Sequence, residues 1–433
     1  MNEVKKVAFC SLGCKVNQYE TNAMAQKFIE QGYEVVEFSE YADIYIVNTC
    51  TVTNVADRKS RQMLRRAKEI NFNSILVACG CYAQVAKDEL RKIEEIDLII
   101  GNNEKNDIIQ IIENHIKEKG IQEYVSDVMY KTDYVELGTT TYTEKTRAVI
   151  KVQDGCDRFC SYCLIPFARG HIRSRKIENV IEEVKKIVSD GINEVVITGI
   201  HIASYGRDLK NGKGLIDLLE EINKIQGLHR IRLGSIEPTI ITDEFVERLS
   251  KLDKICDHFH LSLQSGCTET LKRMNRRYTA EEFKEVTKRL RTKFPNAALT
   301  TDIIVGFPGE TEQEFNQTYE FLKDIAFYKM HIFKYSPRKG TKAAVMPNQI
   351  DGKLKEERSK KLIELSNENE CNYNRNYVGK DIEVLFEERD GKYIKGHTKN
   401  YIMVKCETDN DEYINKIVSL NVIDTDKDFL IAK

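Results

Sequence analysis

Cys156, Cys160 and Cys163 stand at C-x3-C-x2-C spacing just past an apolar run, Ala148, Val149, Ile150 and Val152. Three thiolates can hold three irons of a four-iron cluster, and the fourth iron then has no protein ligand and can bind a substrate or cofactor. A cluster that only carries electrons usually has four cysteines. A trio leaves one metal position open for chemistry, as catalytic metal sites do. Cysteines at i, i+4 and i+7 could also be the buried stripe of a helix, since free cysteine behaves as a small hydrophobe. Asp154, Gly155, Asp157 and Arg158 argue against that stripe, because they read as a loop. A structural zinc site with His171 as fourth ligand is the other metal reading. Tyr162, directly before the last cysteine, favours iron.

The elements that must position such a site are legible in the pattern. Through about residue 116, strand-like runs (VAFCSL, EVVEF, DIYIVN, SILVAC, DLIIG) alternate with helix-like stretches. This predicts an α/β domain with an open parallel sheet covered by helices. Cys14 follows the first run, Cys50 the third and Cys81 the fourth. All three fall at the carboxyl ends of strands, the edge of a parallel sheet where ligands bind. They can converge into a second three-thiolate site, or they can be unrelated buried cysteines. Cys10 and Cys79 lie inside strands and read as core.

Residues 117–145 lack strong periodicity and read as a linker, with one short strand around YVELG. From 146 to 370, six strand-like runs separated by helical patterns predict a partial (βα)6 barrel with its site at the carboxyl ends of the strands. The cysteine trio follows the first of these strands. Residues 373–433 carry short strands with turn signals, clearest at Asp390-Gly391, and predict a small antiparallel β-barrel. A chain of 433 residues with 41% hydrophobic content supports several such cores. Net charge is −2, so any nucleic-acid surface must be local. No apolar run reaches membrane-spanning length, and the start lacks a signal peptide's apolar core, so a cytoplasmic location is expected. Twelve cysteines there suit metal better than disulfides.

The stretch QDGCDRFCSYCLIPFARG resembles the signature of the radical S-adenosylmethionine enzymes. With SLGCKVNQYET, VNTCTVTNVADRKSRQ, ACGCYAQ and RGHIRSR, nearly the whole chain resembles their methylthiotransferase subgroup. GCKVNQYET and NTCTVTNVADRKSRQ look most like the branch that modifies threonylcarbamoyladenosine in tRNA; in a sister branch, for isopentenyladenosine, the first motif usually reads more like GCQMN. The resemblance implies an N-terminal cluster domain, a radical barrel and a C-terminal domain of the TRAM type. It implies two 4Fe-4S clusters, held by Cys14, Cys50 and Cys81 and by Cys156, Cys160 and Cys163. It also implies two S-adenosylmethionine molecules: one gives a methyl group to a sulfide at the first cluster, and the other is cleaved at the second to a radical. That radical takes the C-2 hydrogen of the adenine, and a methylthio group replaces it. Tyr162 then lies near the adenine of S-adenosylmethionine, Thr198 and Gly199 near its amino group, and Ser235 and Glu237 near its ribose or carboxylate. Gln264 is a further polar contact, and Asp302 and Gly306 line the adenine side. The implied partners are a tRNA anticodon stem-loop, an electron donor such as flavodoxin or ferredoxin, and a sulfur donor.

Clusters of Lys and Arg fix a phosphate backbone without reading sequence. Arg58, Lys59, Arg61, Arg65, Arg66 and Lys68 crowd the helix after Cys50. Arg169, Arg173 and Arg175 follow the trio, and Lys272, Arg273, Arg276 and Arg277 form a third group. Lys392, Lys395, His397 and Lys399 are the candidates in the last domain. The competing readings are the same chemistry on isopentenyladenosine or on an aspartate of a ribosomal protein, and a non-catalytic metal-binding RNA module.

Overall fold

The computed structural model describes residues 5–117, 122–138 and 146–433. The N-terminal strands are β1 (Lys6–Ser11), β2 (Glu34–Val36), β3 (Ile44–Thr49), β4 (Ile75–Gly80), β5 (Leu98–Ile100) and β6 (Gln122–Tyr124). They form one parallel sheet in the order β2-β1-β3-β4-β5-β6. Every residue of β3 is buried, as a strand covered by helices on both faces must be. Helix α1 (Lys15–Glu30) follows β1, and α2 (Asn54–Ile70) follows β3. Strand order reverses between β1 and β3, so the crevice at that switch point lies at Cys14 and Cys50. The sheet runs past residue 116: β6 pairs with β5 inside the stretch read as a linker, and no strand forms over YVELG. Residues 118–121 and 139–145 of that stretch lie outside the described residues.

The second unit contains β7 (Arg147–Asp154), a short antiparallel β8 (Arg173–Ser174), β9 (Glu194–Gly199), β10 (Arg230–Leu233), β11 (His258–Gln264), β12 (Ala298–Val305) and β13 (Lys329–Lys334). The sheet β10-β9-β7-β8 and the sheet β11-β12-β13 are joined by parallel bridges Ile231–Ile255 and Ile236–Leu261. Six parallel strands thus curve into the expected incomplete barrel around one apolar core, from Ala148 to Leu365. Two of its outer helices start on reciprocal caps. Thr279 accepts from the Glu282 N–H and Glu282 accepts from the Thr279 N–H, and Thr311 and Glu314 repeat the pattern.

A long helix, Gly352–Arg375, leads to β14 (Asp381–Asp390), β15 (Tyr393–Thr398), β16 (Met403–Glu407), β17 (Ile417–Asp426) and β18 (Phe429–Ala432). These close into a barrel in the order β14-β15-β16-β18-β17, antiparallel except for the pair β16–β18. Among the described residues, no helix is long and apolar enough to cross a membrane.

Candidate active site

The N-terminal cysteines are brought together by turns that only small residues allow. Gly13 has φ +96, and a Cβ there would lie 2.5 Å from Cys50 Sγ. Gly80 has φ +97, and a Cβ there would lie 2.5 Å from the Thr49 carbonyl. Between them the Asn17 side chain donates to the Leu12 carbonyl at 2.8 Å and to the Thr49 carbonyl at 3.0 Å, which ties the end of β1 to the end of β3. Cys14 precedes α1, and Cys81 opens the short helix Cys81–Val85. Burial pushes the Cys50 thiol up to about 12, and Cys81 and Cys14 add to the effect. Burial also raises Cys14, again with Cys81 contributing. Cys50 and Cys14 therefore both lie within electrostatic reach of Cys81. Cys79 is fully buried within β4, and Cys10 packs half-buried on β1.

The second trio occupies the loop between β7 and the helix Ile165–Arg169. Gly155 has φ +72, and a Cβ there would lie 1.8 Å from the His171 carbonyl, so the loop closes only around glycine. The Cys156 N–H donates to the Gly170 carbonyl at 3.0 Å, and the Cys163 N–H donates to the Cys160 carbonyl at 3.0 Å. Burial raises Cys156 to about 11 and Cys163 to about 12. His171 takes no part: its Nδ1 lies 2.6 Å from Asp157 on the exposed surface, away from the thiols' cavity. The zinc reading loses its fourth ligand.

One cavity of about 720 Å³ runs from Cys14 of the first trio to all three cysteines of the second. Cys14, Cys156, Cys160 and Cys163 line it, while Cys50 and Cys81 are buried. Tyr162, Thr198, Gly199, Ser235, Glu237 and Gln264 also line it. Asp302 and Gly306 do not: Asp302 lies 3.2 Å from His260 Nε2, and Gly306 packs against the Lys355 side chain. Glu237 accepts from Thr239 Oγ1 at 3.0 Å, lies 3.2 Å from His201 Nε2, and pairs with Arg158 and Arg276. Burial pushes its carboxyl up, but the His201 hydrogen bond and the charges of Arg276 and Arg158 outweigh burial and bring it to about 2.

Each trio has an arginine aimed at one sulfur. Arg169 Nε donates to Cys81 Sγ at 3.3 Å, and Arg276 Nη1 donates to Cys160 Sγ at 3.3 Å. Donors to sulfur fit an anionic thiolate cluster and help to set its potential. Arg169 belongs to a buried network. Glu20 of α1 accepts from Arg169, from Lys105 at 2.5 Å and from Lys151 at 2.7 Å. Asp154 accepts from Lys151 at 2.6 Å and from Arg169 at 3.3 Å. Burial pushes the Glu20 carboxyl up, and Arg169, Lys105 and Lys151 pull it well below the ordinary range. The network fastens the N-terminal sheet to the barrel. Arg338 is a second fastener, donating to Thr51 Oγ1 at 2.6 Å and to Asp57 Oδ2 at 2.6 Å.

Several cations expected to contact phosphate are spent inside. Arg173 and Arg175 are each 2% exposed. Arg173 lies 3.7 Å from Asp154, and Arg175 pairs with Glu183 and, at 2.7 Å, with Glu136, so a phosphate has no access to either. Arg276 points at Cys160 rather than outward. In contrast, Arg58, Lys59, Arg65 and Arg66 stand exposed along α2 with no ion pair among the described residues. Arg61 donates to the Tyr82 hydroxyl at 2.6 Å, and Lys68 pairs with Asp97 at 2.9 Å. In the last domain, Lys392, Lys395 and His397 pair with Glu407, Asp390 and Glu387, and Lys399 donates to the Asp253 carbonyl. Local sequence gave no sign that Lys15, His258, His260 and Tyr401 also line the cavity, since tertiary structure alone assembles them.

Comparison with known proteins agrees with this arrangement. The Radical SAM superfamily matches residues 150–322, and the uncharacterized protein family UPF0004 matches residues 6–101. The threonylcarbamoyladenosine tRNA methylthiotransferase MtaB of Bacillus subtilis (strain 168) is 42% identical over 96% of this chain and 93% of its own. The protein of that name from Aquifex aeolicus is 41% identical over 93% of this chain and 97% of its own. The chain belongs to the radical S-adenosylmethionine methylthiotransferases. The tRNA-2-methylthio-N(6)-dimethylallyladenosine synthase of Alkaliphilus oremlandii is 33% identical to this methylthiotransferase over 97% of its chain and 90% of the relative. Among solved structures, the radical S-adenosylmethionine methyltransferase TsrM from Kitasatospora setae shares the fold, with a TM-score of 0.58 and 15% identity, covering 79% of this chain and 77% of TsrM. As a family member, this methylthiotransferase is an enzyme that works with S-adenosylmethionine and 4Fe-4S clusters.

Proposed function

We propose that this methylthiotransferase acts on threonylcarbamoyladenosine beside the anticodon of tRNA and replaces the C-2 hydrogen of the adenine with a methylthio group. The observation that carries the substrate is the graded identity: 38–42% to three relatives named for that nucleoside, against 33–35% to five named for the dimethylallyl nucleoside. Cys14, Cys50 and Cys81 would hold one cluster, and Cys156, Cys160 and Cys163 the other. When bound, the clusters and S-adenosylmethionine supply a radical that abstracts hydrogen and a methylthio group that takes its place.

The protein's own residues bind, orient and shield. Tyr162, Thr198, Gly199, Ser235, Glu237 and Gln264 surround S-adenosylmethionine in this reading. Glu237, kept ionised by its cationic neighbours, offers a fixed negative charge at neutral pH. Tyr162 is half-buried and packs edge-on against Phe307, which holds its ring at the cavity wall. Arg58, Lys59, Arg65 and Arg66 give RNA an open basic ridge that starts just past Val52 at the cavity wall. A base reaches the cavity only when splayed out of its loop, which single-stranded RNA permits. The reaction also needs a reductant of the flavodoxin or ferredoxin kind and a sulfur donor, in the cytoplasm where tRNA is modified. The test is mass spectrometry of tRNA nucleosides from cells with and without the gene. Loss of the methylthio derivative with accumulation of threonylcarbamoyladenosine is expected. Loss of a methylthiolated dimethylallyladenosine instead would assign the sister substrate.

A further inference from the structure

Lys15 is the first residue of α1 and lines the cavity directly after Cys14. It makes no ion pair or hydrogen bond among the described residues. A lysine at a helix N-terminus works against the helix dipole, and the first turn of α1 has no acidic residue to offset it. Its electrostatic neighbours are Tyr401, Arg147, Arg232 and Glu194. The nearby carboxylates are already engaged: Glu194 accepts from Arg232 at 2.6 Å, and Glu387 accepts from Arg147 at 2.9 Å. The cavity's other carboxylates lie elsewhere. Glu237 pairs with Arg158, Glu370 pairs with Lys329, and Asp428 sits beside Tyr328. Lys15, Arg147, Arg230 and Arg232 thus face three carboxylates, Glu194, Glu387 and Glu383, which leaves an excess of positive charge. Tyr401 registers that excess: burial raises its phenol, but Arg147, Lys15 and Arg232 outweigh burial and lower it. Its ring is fixed by Arg232 at 4.6 Å and His397 at 4.5 Å.

This patch is built for an anion. On the adenine ring, N6 and C-2 flank N1 on the same edge. A base that presents C-2 between the two trios therefore keeps its N6 substituent inside the same cavity. Resting on the proposed substrate, we propose that the Lys15 ammonium binds the carboxylate of the threonyl group on N6 and so selects the acidic nucleoside over its neutral counterparts. Lys15 is a specificity residue in this account and moves no atom of the reaction.

The test is binding of cluster-loaded protein to three anticodon stem-loops that carry threonylcarbamoyladenosine, its carboxamide analogue or plain adenosine. Wild-type protein should bind the acid about 10- to 100-fold more tightly than the amide, the range for a hydrogen bond between charged groups. Lys15→Gln should abolish that gap while leaving affinity for the amide, plain RNA and S-adenosylmethionine unchanged, and Lys15→Arg should restore part of it. Equal weakening for all three RNAs would overturn the proposal in favour of a phosphate contact, and weakened S-adenosylmethionine binding in favour of the cofactor's carboxylate. Loss of iron with the gap intact would assign Lys15 to the cysteine site. The acid–amide comparison on wild-type protein needs no variant, and no gap there refutes the proposal outright. Wild-type protein that thiolates the acidic nucleoside without such a gap sinks only this inference. Wild-type protein that does not thiolate it sinks the substrate reading itself.

Discussion

Glu20→Gln removes one negative charge from the buried junction of the N-terminal sheet and the barrel while keeping the side-chain volume. Glu20 is 2% exposed and receives hydrogen bonds from Arg169, Lys105 and Lys151. Without its charge, Asp154 is the carboxylate left within the network for Lys151, Arg169 and Arg173. Breaking a buried ion pair by removing one partner costs about 3–5 kcal/mol, because the surviving charge stays desolvated. The amide oxygen can still accept one or two of these bonds, so the lower end, about 3 kcal/mol, is expected. With a urea slope of about 1–3 kcal/mol per molar, the midpoint should fall by about 1 M or more. Circular dichroism during anaerobic urea unfolding reads this directly. Iron analysis should show fewer irons per chain, because Arg169 also donates to Cys81. A midpoint within about 0.3 M of wild type would refute the reasoning, since leaving buried Lys105 without a carboxylate, with Lys151 and Arg169 reduced to Asp154, would then cost almost nothing.

Other expectations follow from the same geometry. Glu237 is ordinarily ionised above about 4.5 and is held at about 2 here, so the stability it contributes is complete at neutral pH and is lost as pH falls from the first value through the second; thermal melts between pH 5 and pH 3 should therefore fall more steeply for wild type than for Glu237→Gln. Gly13→Ala would drive a Cβ to 2.5 Å from Cys50 Sγ at a positive φ, and reconstituted protein should lose about half its iron while keeping the barrel's share. Replacing Arg58, Lys59, Arg65 and Arg66 with glutamine should weaken tRNA binding at every sequence and reduce the slope of log K against log salt concentration by roughly 3 to 4; an unchanged slope would place RNA elsewhere.

The six barrel strands were legible because each is an apolar or alternating run bounded by helical pattern, from AVIKV to MHIFKYS. The convergence of Cys14, Cys50 and Cys81 followed from strand ends sharing one edge of a parallel sheet. Strand β6 was not legible: Gln122–Tyr124 is short and half-buried and pairs on one side only, so it carries neither an apolar run nor alternation. The charged residues were the hardest to read. An arginine that meets solvent and one that meets a buried carboxylate look alike in sequence when the carboxylate is remote. Arg169 finds Glu20 at the far end of the chain, and Arg175 finds Glu136 and Glu183. Arg276 sat within a basic run, and nothing nearby in sequence signals its contact with Cys160. Lys15 was visible as part of a motif, but its unpartnered position required Arg147, Arg232 and Tyr401 from other strands and from the last domain.

The central claim is that two cysteine trios with different tasks share one cavity. The direct test is Cys50→Ala, reconstituted anaerobically, reduced and given S-adenosylmethionine and substrate tRNA, with 5′-deoxyadenosine and methylthiolated nucleoside measured in the same reaction. The account predicts that 5′-deoxyadenosine still forms and that no methylthio nucleoside appears. Methylthiolation that survives, or cleavage that is lost along with it, would contradict the division of labour between the trios.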